Sequence, residues 1–163
     1  MKKYAFIDRD GTLIFEPQDT YQIDSLEKLQ ILPGVIEGLQ ALQNGGYRLV
    51  MISNQDGLGT DSFQQAGFDA PQQKMLEIFA QNNVSFDQIF ICPHLPEDNC
   101  TCRKPKTGLV KDFLATEDID CRGSFVCGDR PTDAAFAKNI GVRSVMMPTN
   151  GNFLNALRQA RVV

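Results

Sequence analysis

Short apolar runs alternate with segments of helical spacing along the whole chain. The apolar runs are typical of strands and cover residues 4–7, 47–53, 86–92, 124–127 and 142–146. The helical segments run from residue 35 to Gly45, over 73–81, over 109–114, from the end of the Gly128–Asp133 cluster to Asn139, and over 153–160. This alternation predicts an α/β fold, namely a three-layer, Rossmann-like parallel sheet with helices on both faces. Residues 57–70 are predicted to form a loop rich in glycine and aspartate.

Length and net charge limit the classes of protein to which this chain can belong. The 163 residues suffice for one domain with a substantial core, so we expect a single domain over 1–163, with a domain end or linker near 150–163. A net charge of −4 argues against a nucleic-acid partner. No apolar run approaches the roughly 20 residues of a membrane helix, and no signal segment precedes the first strand. We therefore expect a soluble, cytoplasmic protein without a membrane partner.

Polar clusters follow the predicted strands. Because the carboxyl ends of parallel strands meet at one edge of a sheet, these clusters are expected to face one crevice. They are Asp8 with Asp10, Ser53 with Asn54, Arg103-Lys104-Pro105-Lys106, and Asp129 with Asp133. Acids, a lysine and hydroxyl or amide donors suit a phosphoryl group bound together with Mg²⁺, because the metal and the lysine offset the negative charge.

The first cluster carries the reactive groups in this interpretation. In an extended segment, residues two apart share a face, so Asp8 and Asp10 can converge while Arg9 points away. Two converging carboxylates need a cation or a shared proton. One of them could then attack phosphorus.

A second constellation lies between residues 92 and 102. Its members are three cysteines and the only histidine, namely Cys92, His94, Cys100 and Cys102. Three thiols and one imidazole match the tetrahedral preference of a structural Zn²⁺, with no position left open for catalysis. Such a zinc would order the loop just before Lys104. The remaining cysteines, Cys121 and Cys127, have no sequence partners and are expected to pack in the core.

Taken together, Asp8-Arg9-Asp10-Gly11-Thr12, Ser53, Lys104 and Gly128-Asp129 with Asp133 resemble the four motifs of the haloacid dehalogenase-like phosphatases. The resemblance implies a nucleophilic Asp8 that forms an aspartyl-phosphate, with Asp10 as general acid and then general base. It implies Mg²⁺ bound by Asp8, Asp129 and the backbone carbonyl of Asp10. It also implies phosphate binding by Ser53, Asn54 and Lys104, and an orienting role for Asp133. Lys104 is preferred over Lys106 because it immediately precedes a proline, as in the related phosphatases.

The cysteine-rich loop narrows the resemblance to two capless subgroups. Cys92-x-His94 followed by Cys100-x-Cys102-Arg103-Lys104-Pro105 is similar to heptose-bisphosphate phosphatases and to the histidinol-phosphate phosphatase domain of a bifunctional histidine-biosynthesis enzyme. Residues 6–14, 53–60 and 86–96 look closer to the second, whereas Thr107-Gly108 resembles the first. The resemblance implies an Mg²⁺-dependent histidinol-phosphatase, with a heptose 1,7-bisphosphate or other sugar-phosphate phosphatase as the alternative. It also implies a possible fusion to, or partnership with, an imidazoleglycerol-phosphate dehydratase domain.

Histidinol phosphate carries an amine and an imidazole beyond its phosphate. A carboxylate near the first loop would suit the amine, so Glu16 is the hypothesis for that contact. Gln22 is the corresponding hypothesis for the imidazole, and Asp56 is a further possible contact at the rim. All three lie in polar loops, where solvated side chains are also ordinary.

Overall fold

The computed structural model describes all residues, 1–163. Five parallel strands form one sheet: β1 (Lys3–Ile7), β2 (Tyr47–Asn54), β3 (Gln88–Cys92), β4 (Phe125–Gly128) and β5 (Arg143–Met146). Their order across the sheet is β3-β2-β1-β4-β5. The chain thus builds the sheet outward from β1 in one direction and then in the other. The direction changes between β1 and β4, where parallel sheets form a ligand crevice.

Helices cover both faces of this sheet, as predicted. They are α1 (Val35–Asn44), α2 (Gln65–Gln81), α3 (Lys111–Thr116), α4 (Pro131–Ile140) and α5 (Phe153–Gln159). Buried residues of α1, α2 and α5 pack on one face, and residues of α3 and α4 pack on the other. Between β1 and α1 the chain forms only a short 3-10 turn at Leu26–Lys28, and between β3 and α3 it forms two, at Pro96–Asp98 and Gly108–Val110. No cap domain covers the carboxyl edge. None of the helices combines the length and apolar character needed to cross a bilayer.

Strand β1 shows why its sequence is apolar from Tyr4 to Ile7. Ala5 and Ile7 join the core cluster on one face, and Tyr4 and Phe6 join the cluster on the other, where Phe136 of α4 also lies. Successive strand residues point to opposite faces, and both faces are covered by helices. The central strand is therefore rigidly held, and it delivers the residues that follow it to a fixed place.

Helix α2 begins eight residues earlier than the sequence pattern predicts. The predicted loop was wrong for residues 65–70, which are helical. Gly67 and Pro71 discourage a helical assignment because both have low helix propensity. Both suit their surroundings, however: Pro71 is buried, and a Cβ at Gly67 would lie 2.8 Å from the backbone oxygen of Asp24. Tertiary packing thus outweighs local propensity here.

The two unpaired cysteines differ in their surroundings. Cys127 is buried within β4, which confirms that prediction, whereas Cys121 is exposed, so its predicted core position was wrong. Cys121 lies in the turn before β4, where the carboxylate of Asp120 accepts hydrogen bonds from the backbone of Arg122 and Gly123. A turn of this kind runs over the surface and gives its residues little to pack against.

Candidate active site

A cavity of about 590 Å³ opens at the carboxyl edge of the sheet. Its wall brings together nearly all the predicted catalytic, phosphate-binding and substrate-binding residues. They are Asp8, Asp10, Glu16, Gln22, Ser53, Asn54, Asp56, Lys104 and Asp133. Asp129 lies beside them, since one oxygen each of Asp8, Asp129 and Asp133 fall within 4.8 Å of one another.

Lys104 is buried at the centre of the cluster. Its Nζ donates to Asp8 Oδ1 at 2.9 Å, to Asp133 Oδ1 at 2.7 Å and to the backbone oxygen of Ile52 at 2.9 Å. Burial by itself would lower the pKa of Lys104, but the carboxylates of Asp8 and Asp133 reverse this and raise the pKa. The lysine therefore stays cationic and fixes one oxygen of each aspartate.

Asp8 is held from two sides. Lys104 binds its Oδ1, and Thr12 Oγ1, whose single proton is shared between Asp8 and Asp129, lies 3.4 Å from its Oδ2. Burial raises the pKa of Asp8 to about 6, and the negative charge of Asp129 adds to this, although Lys104 opposes it. The Asp8 carboxylate is thus under-compensated in the protein alone.

Asp129 follows β4 and faces Asp8 across the crevice. Thr12 Oγ1 donates to its Oδ1 at 3.1 Å, and Thr149 Oγ1 donates to its Oδ2 at 2.7 Å. Gly11 lies against it with φ of +81°, and a Cβ there would approach Asp129 Oδ2 to 2.5 Å. Glycine is therefore needed both for the left-handed backbone and for the close approach.

Asp133 sits in the first turn of α4, with its side chain buried. Its Oδ2 accepts from the backbone N–H of Arg130 at 3.2 Å, while its Oδ1 accepts from Lys104. Burial raises the pKa of Asp133, and the charge of Asp8 acts in the same direction. One carboxylate thus caps a helix and orients the lysine.

Asp10 and Ser53 are joined by a residue that the sequence reasoning did not single out. Gln55 Nε2 donates to Asp10 Oδ2 at 3.1 Å and to Ser53 Oγ at 2.8 Å. Ser53 accepts in this contact, so its own hydroxyl proton remains free for an anionic ligand. Gln55 directly follows Ser53-Asn54, and its position in that cluster was the only sequence signal for its role.

Asn54 uses its side chain on the backbone of Lys104. Its Oδ1 accepts from Lys104 N at 2.9 Å, and its Nδ2 donates to Lys104 O at 3.2 Å. The side chain therefore fixes the lysine's position, and its predicted contact with phosphate stays a prediction. Next to it, Arg103 binds both carboxylate oxygens of Asp56, at 3.1 and 3.0 Å, so that candidate rim residue already has a cationic partner.

Glu16 has a buried side chain although it lies in a loop. Its Oε2 accepts a hydrogen bond from Arg130. The side chain of Asn150 binds the backbone of Glu16 twice: Oδ1 accepts from Glu16 N at 2.7 Å, and Nδ2 donates to Glu16 O at 3.0 Å. Burial raises the pKa of Glu16, although Arg130 opposes the shift. Gln22 lies on the same cavity wall and donates to the backbone oxygen of Ser62 at 3.1 Å. Arg130 and Asn150 were not identified from the sequence, because each acts on Glu16 from more than a hundred residues away.

The acidic cluster has the charge and the donor atoms of a magnesium site. Asp8, Asp129 and Asp133 lie close together, but Lys104 is the only cation in contact with them and binds only Asp8 and Asp133, so negative charge is in excess in a largely buried place. Carboxylate oxygens are the ligands that Mg²⁺ prefers. Burial is the main cause of the raised pKa of Asp8, and the negative charge of Asp129 acts in the same direction. A divalent cation therefore fits the residues present.

The predicted zinc ligands also converge. Cys92 Sγ lies 3.1 Å from Cys102 Sγ, 3.8 Å from Cys100 Sγ and 3.5 Å from His94 Nδ1. Tetrahedral Zn²⁺ with bonds of about 2.3 Å to sulfur separates its ligand atoms by roughly 3.7 Å. The four side chains could therefore bind zinc with little rearrangement. Cys102 precedes Lys104 by two residues, so this cluster borders the cavity.

The fold and the residues at its carboxyl edge define the class of protein. An aspartate just after the central strand, a lysine shared by two aspartates and a carboxylate after the neighbouring strand are the arrangement of the haloacid dehalogenase-like phosphatases, and the chain is one of them. More narrowly, residues 3–149 match the family described as polynucleotide kinase 3 phosphatase, and the chain belongs to this family.

Individual relatives carry more specific names. The chain is 53% identical over 143 residues to the histidine biosynthesis bifunctional protein HisB of Blochmanniella floridana, covering 88% of this chain and 40% of that protein. It is 56% identical over 140 residues to the HisB protein of Actinobacillus pleuropneumoniae, covering 86% and 38%. The chain thus spans about two fifths of the length of these curated relatives.

A solved structure gives the same fold. The D,D-heptose 1,7-bisphosphate phosphatase of B. bronchiseptica, complexed with magnesium and phosphate, superposes with a TM-score of 0.81 at 32% identity. The match covers 96% of this chain and 86% of that one. The predicted three-layer α/β fold is therefore confirmed by an experimental relative as well as by the strand order.

Proposed function

We propose that the protein is an Mg²⁺-dependent phosphomonoesterase that hydrolyses L-histidinol phosphate to L-histidinol and phosphate. The observation that carries the chemistry is the contact of Lys104 Nζ with both Asp8 and Asp133 inside the cavity. A cation there orients a carboxylate for attack and at the same time faces the incoming phosphate. The name shared by relatives about 50% identical supports the choice of substrate.

The first step transfers the phosphoryl group to Asp8. A carboxylate oxygen of Asp8 forms a bond to phosphorus, and the bond from phosphorus to the substrate oxygen breaks. The departing alkoxide takes a proton from Asp10, because an alkoxide is too basic to leave without one. Ser53 and Lys104 would bind the phosphate oxygens while negative charge redistributes over them.

The second step releases phosphate. Asp10, now ionised, takes a proton from a water molecule. The oxygen of that water bonds to phosphorus, and the bond between phosphorus and Asp8 breaks. When bound by Asp8, Asp129 and the backbone carbonyl of Asp10, Mg²⁺ would supply positive charge against the phosphate oxygens. The hydrogen bonds from Thr12 and Thr149 keep the Asp129 carboxylate in place for that role.

The buried carboxylate of Glu16 supports recognition of a cationic amine. Its Oε2 is occupied by Arg130, whereas its Oε1 has only a 3.4 Å contact with Gln18. Oε1 would accept from the substrate ammonium, with Gln22 and Asp56 further along the same wall. A second phosphate, as in a heptose bisphosphate, would instead meet the negative charge of Glu16.

Zn²⁺ at Cys92, His94, Cys100 and Cys102 has a structural role in this proposal. All four positions around the metal would be taken by protein, so the metal has no open site for substrate. It would hold the segment that ends at Lys104. The lysine would then enter the cavity in a fixed position.

The length comparison supports a further domain in the full protein. The relatives named as bifunctional are more than twice as long as their matched part. We propose that this phosphatase domain is joined to, or works beside, a second enzymatic domain, with an imidazoleglycerol-phosphate dehydratase as the candidate.

The substrate assignment is tested by Glu16→Gln. We expect kcat/KM for histidinol phosphate to fall about 10- to 100-fold, because a charge-assisted hydrogen bond is worth about 1.5–3 kcal/mol. A histidinol phosphate analogue with hydrogen in place of the amine should react equally well with the wild type and with Glu16→Gln. Asp19→Asn, which neutralises an exposed carboxylate in the same loop, is the matched control. An unchanged kcat/KM for histidinol phosphate in Glu16→Gln would rule out the amine contact.

The alternative substrate is tested in the same assay. Heptose 1,7-bisphosphate and histidinol phosphate are compared at equal Mg²⁺ concentration, and we expect the larger kcat/KM for histidinol phosphate. The reverse order would favour the sugar phosphate. Failure to hydrolyse any phosphomonoester would refute the proposed function as a whole.

A further inference from the structure

Arg9 lies between the two catalytic aspartates in the sequence, yet its side chain is fully buried. Its guanidinium stacks on the ring of Phe68 of α2, with Cζ 4.7 Å from the ring centroid. Its Nε lies 3.2 Å from Asp10 Oδ1, both within the protein interior. The expectation that Arg9 points away from the two carboxylates is therefore wrong with respect to Asp10.

The guanidinium is an expensive group to keep in this place. None of its three nitrogens has a hydrogen-bond partner, and all three are inaccessible to solvent. Even Nε contacts Asp10 at ion-pair distance without hydrogen-bond geometry, so the attraction is Coulombic. Buried charges that lack hydrogen bonds reduce stability, and replacing a buried ion pair as a whole by apolar side chains is often neutral or better. Packing alone therefore does not account for an arginine at this position.

The two oxygens of Asp10 are placed in different surroundings. Oδ1 is inaccessible and faces Arg9, whereas Oδ2 accepts from Gln55, which lies on the cavity wall with Ser53. A ligand in the cavity can therefore reach only Oδ2. A rotation of the carboxylate would separate Oδ1 from the cation and break the bond to Gln55 at once.

We infer that Arg9 is a positioning residue, which holds the Asp10 carboxylate in one rotation so that Oδ2 faces the leaving oxygen of the substrate. This rests on the proposed function, in which Asp10 gives its proton to that oxygen and later takes one from water. Stacking on Phe68 keeps the guanidinium in place, and its attraction for Oδ1 fixes the far side of the carboxylate. Gln55 fixes the near side and links it to the phosphate-binding Ser53.

The test compares leaving groups. Histidinol phosphate releases an alkoxide, which requires the proton of Asp10, whereas p-nitrophenyl phosphate releases a stable phenolate, which does not. For Arg9→Met we expect kcat/KM to fall about 10- to 100-fold with the alkyl phosphate and less than about 3-fold with the aryl phosphate, because misalignment of a catalytic group costs on this scale. The thermal midpoint should fall in Arg9→Met, since Asp10 Oδ1 stays buried without its cation, so the ratio between the two substrates decides the test.

A purely structural role gives a different pattern. It predicts an equal loss with both substrates, and either an equal loss or no loss would overturn the inference. Should Arg9→Met fail to fold, Arg9→Lys carries the test: it keeps the charge but lacks the planar group that stacks on Phe68. We expect it to lose activity selectively with the alkyl phosphate, and an unchanged ratio between the two substrates would overturn the inference.

Asp10→Asn separates this inference from the proposed function. If Asp10→Asn does not lower the ratio of alkyl to aryl kcat/KM, the general-acid assignment itself fails. If Asp10→Asn lowers the ratio and the Arg9 variants do not, the proposed function stands and the role of Arg9 is wrong.

Discussion

Replacing Asp8 with asparagine is expected to stabilise the protein while it abolishes turnover. Asparagine keeps a carbonyl oxygen for the bond from Lys104 but removes the charge of one of the two carboxylates that bind this lysine, Asp8 and Asp133. The nucleophile is lost, so no aspartyl-phosphate can form. Stability should rise because the buried carboxylate is under-compensated when magnesium is not supplied.

The size of the effect follows from the pKa of Asp8. Burial raises that pKa from an ordinary value of 3.8 to about 6. A tenfold change in an ionisation constant is worth about 1.4 kcal/mol, so ionising Asp8 in the folded state costs about 3 kcal/mol. Because the folded state binds the proton more tightly than the unfolded state, the wild type loses this stability as the pH rises from about 4 to about 6. Asp8→Asn has no such group, so its advantage should be near zero at pH 4 and about 3 kcal/mol at pH 8.

The measurement is urea unfolding of the zinc-loaded protein, without added magnesium, at a series of pH values. Asp61→Asn is the matched control, because Asp61 is exposed and takes part in no ion pair or hydrogen bond. Added Mg²⁺ should stabilise the wild type more than Asp8→Asn. Equal stability differences at low and high pH, or a destabilised Asp8→Asn at pH 8, would refute the reasoning about charge in the cavity.

Two further predictions concern the position of Lys104. Removal of zinc with 1,10-phenanthroline, or the substitution Cys102→Ser, should lower both the thermal midpoint and kcat/KM, and only Zn²⁺ should restore the chelated protein. The control Cys121→Ser, at an exposed thiol, should change neither quantity. Normal activity without zinc would contradict the structural role. Asn54→Ala removes both side-chain hydrogen bonds to the backbone of Lys104. We expect kcat/KM to fall about 10- to 100-fold, because a misplaced Lys104 would no longer align Asp8 and the phosphate. Asn139→Ala, which removes an exposed side-chain bond to the backbone oxygen of Pro105, is its control, and equal kinetics of the two variants would show that the Asn54 contacts are dispensable.

Local pattern was enough to predict the fold and to place polar side chains at the carboxyl edge of its sheet, whereas their catalytic roles stay predictions that rest on resemblance. An apolar run that ends in Asp8 and Asp10 can be recognised from a few adjacent residues, because strand periodicity and the abrupt change to polar residues are local properties. The same holds for Cys92 and His94 of the metal cluster, which lie two residues apart. Helix α2 is the exception: packing of its first turns decides its start, and residues 65–70 carry no local signal for it.

What supports those groups could be found only in three dimensions. Thr149 holds Asp129, Asn150 clasps Glu16, and Gln55 joins Asp10 to Ser53, yet none of these contacts leaves a pattern in the chain.

The sequence by itself therefore determined a parallel α/β sheet, a row of polar and charged side chains at its carboxyl edge and a group of three thiols and an imidazole beside them. Only the tertiary structure decided how each carboxylate is oriented and compensated. Arg9 illustrates the reason. The sequence shows that Arg9 lies next to Asp10. The burial of Arg9 against Phe68 and its missing hydrogen bonds, however, depend on a helix that starts more than fifty residues later. Burial and charge balance are sums over distant parts of the chain, so they appear only once the chain is folded.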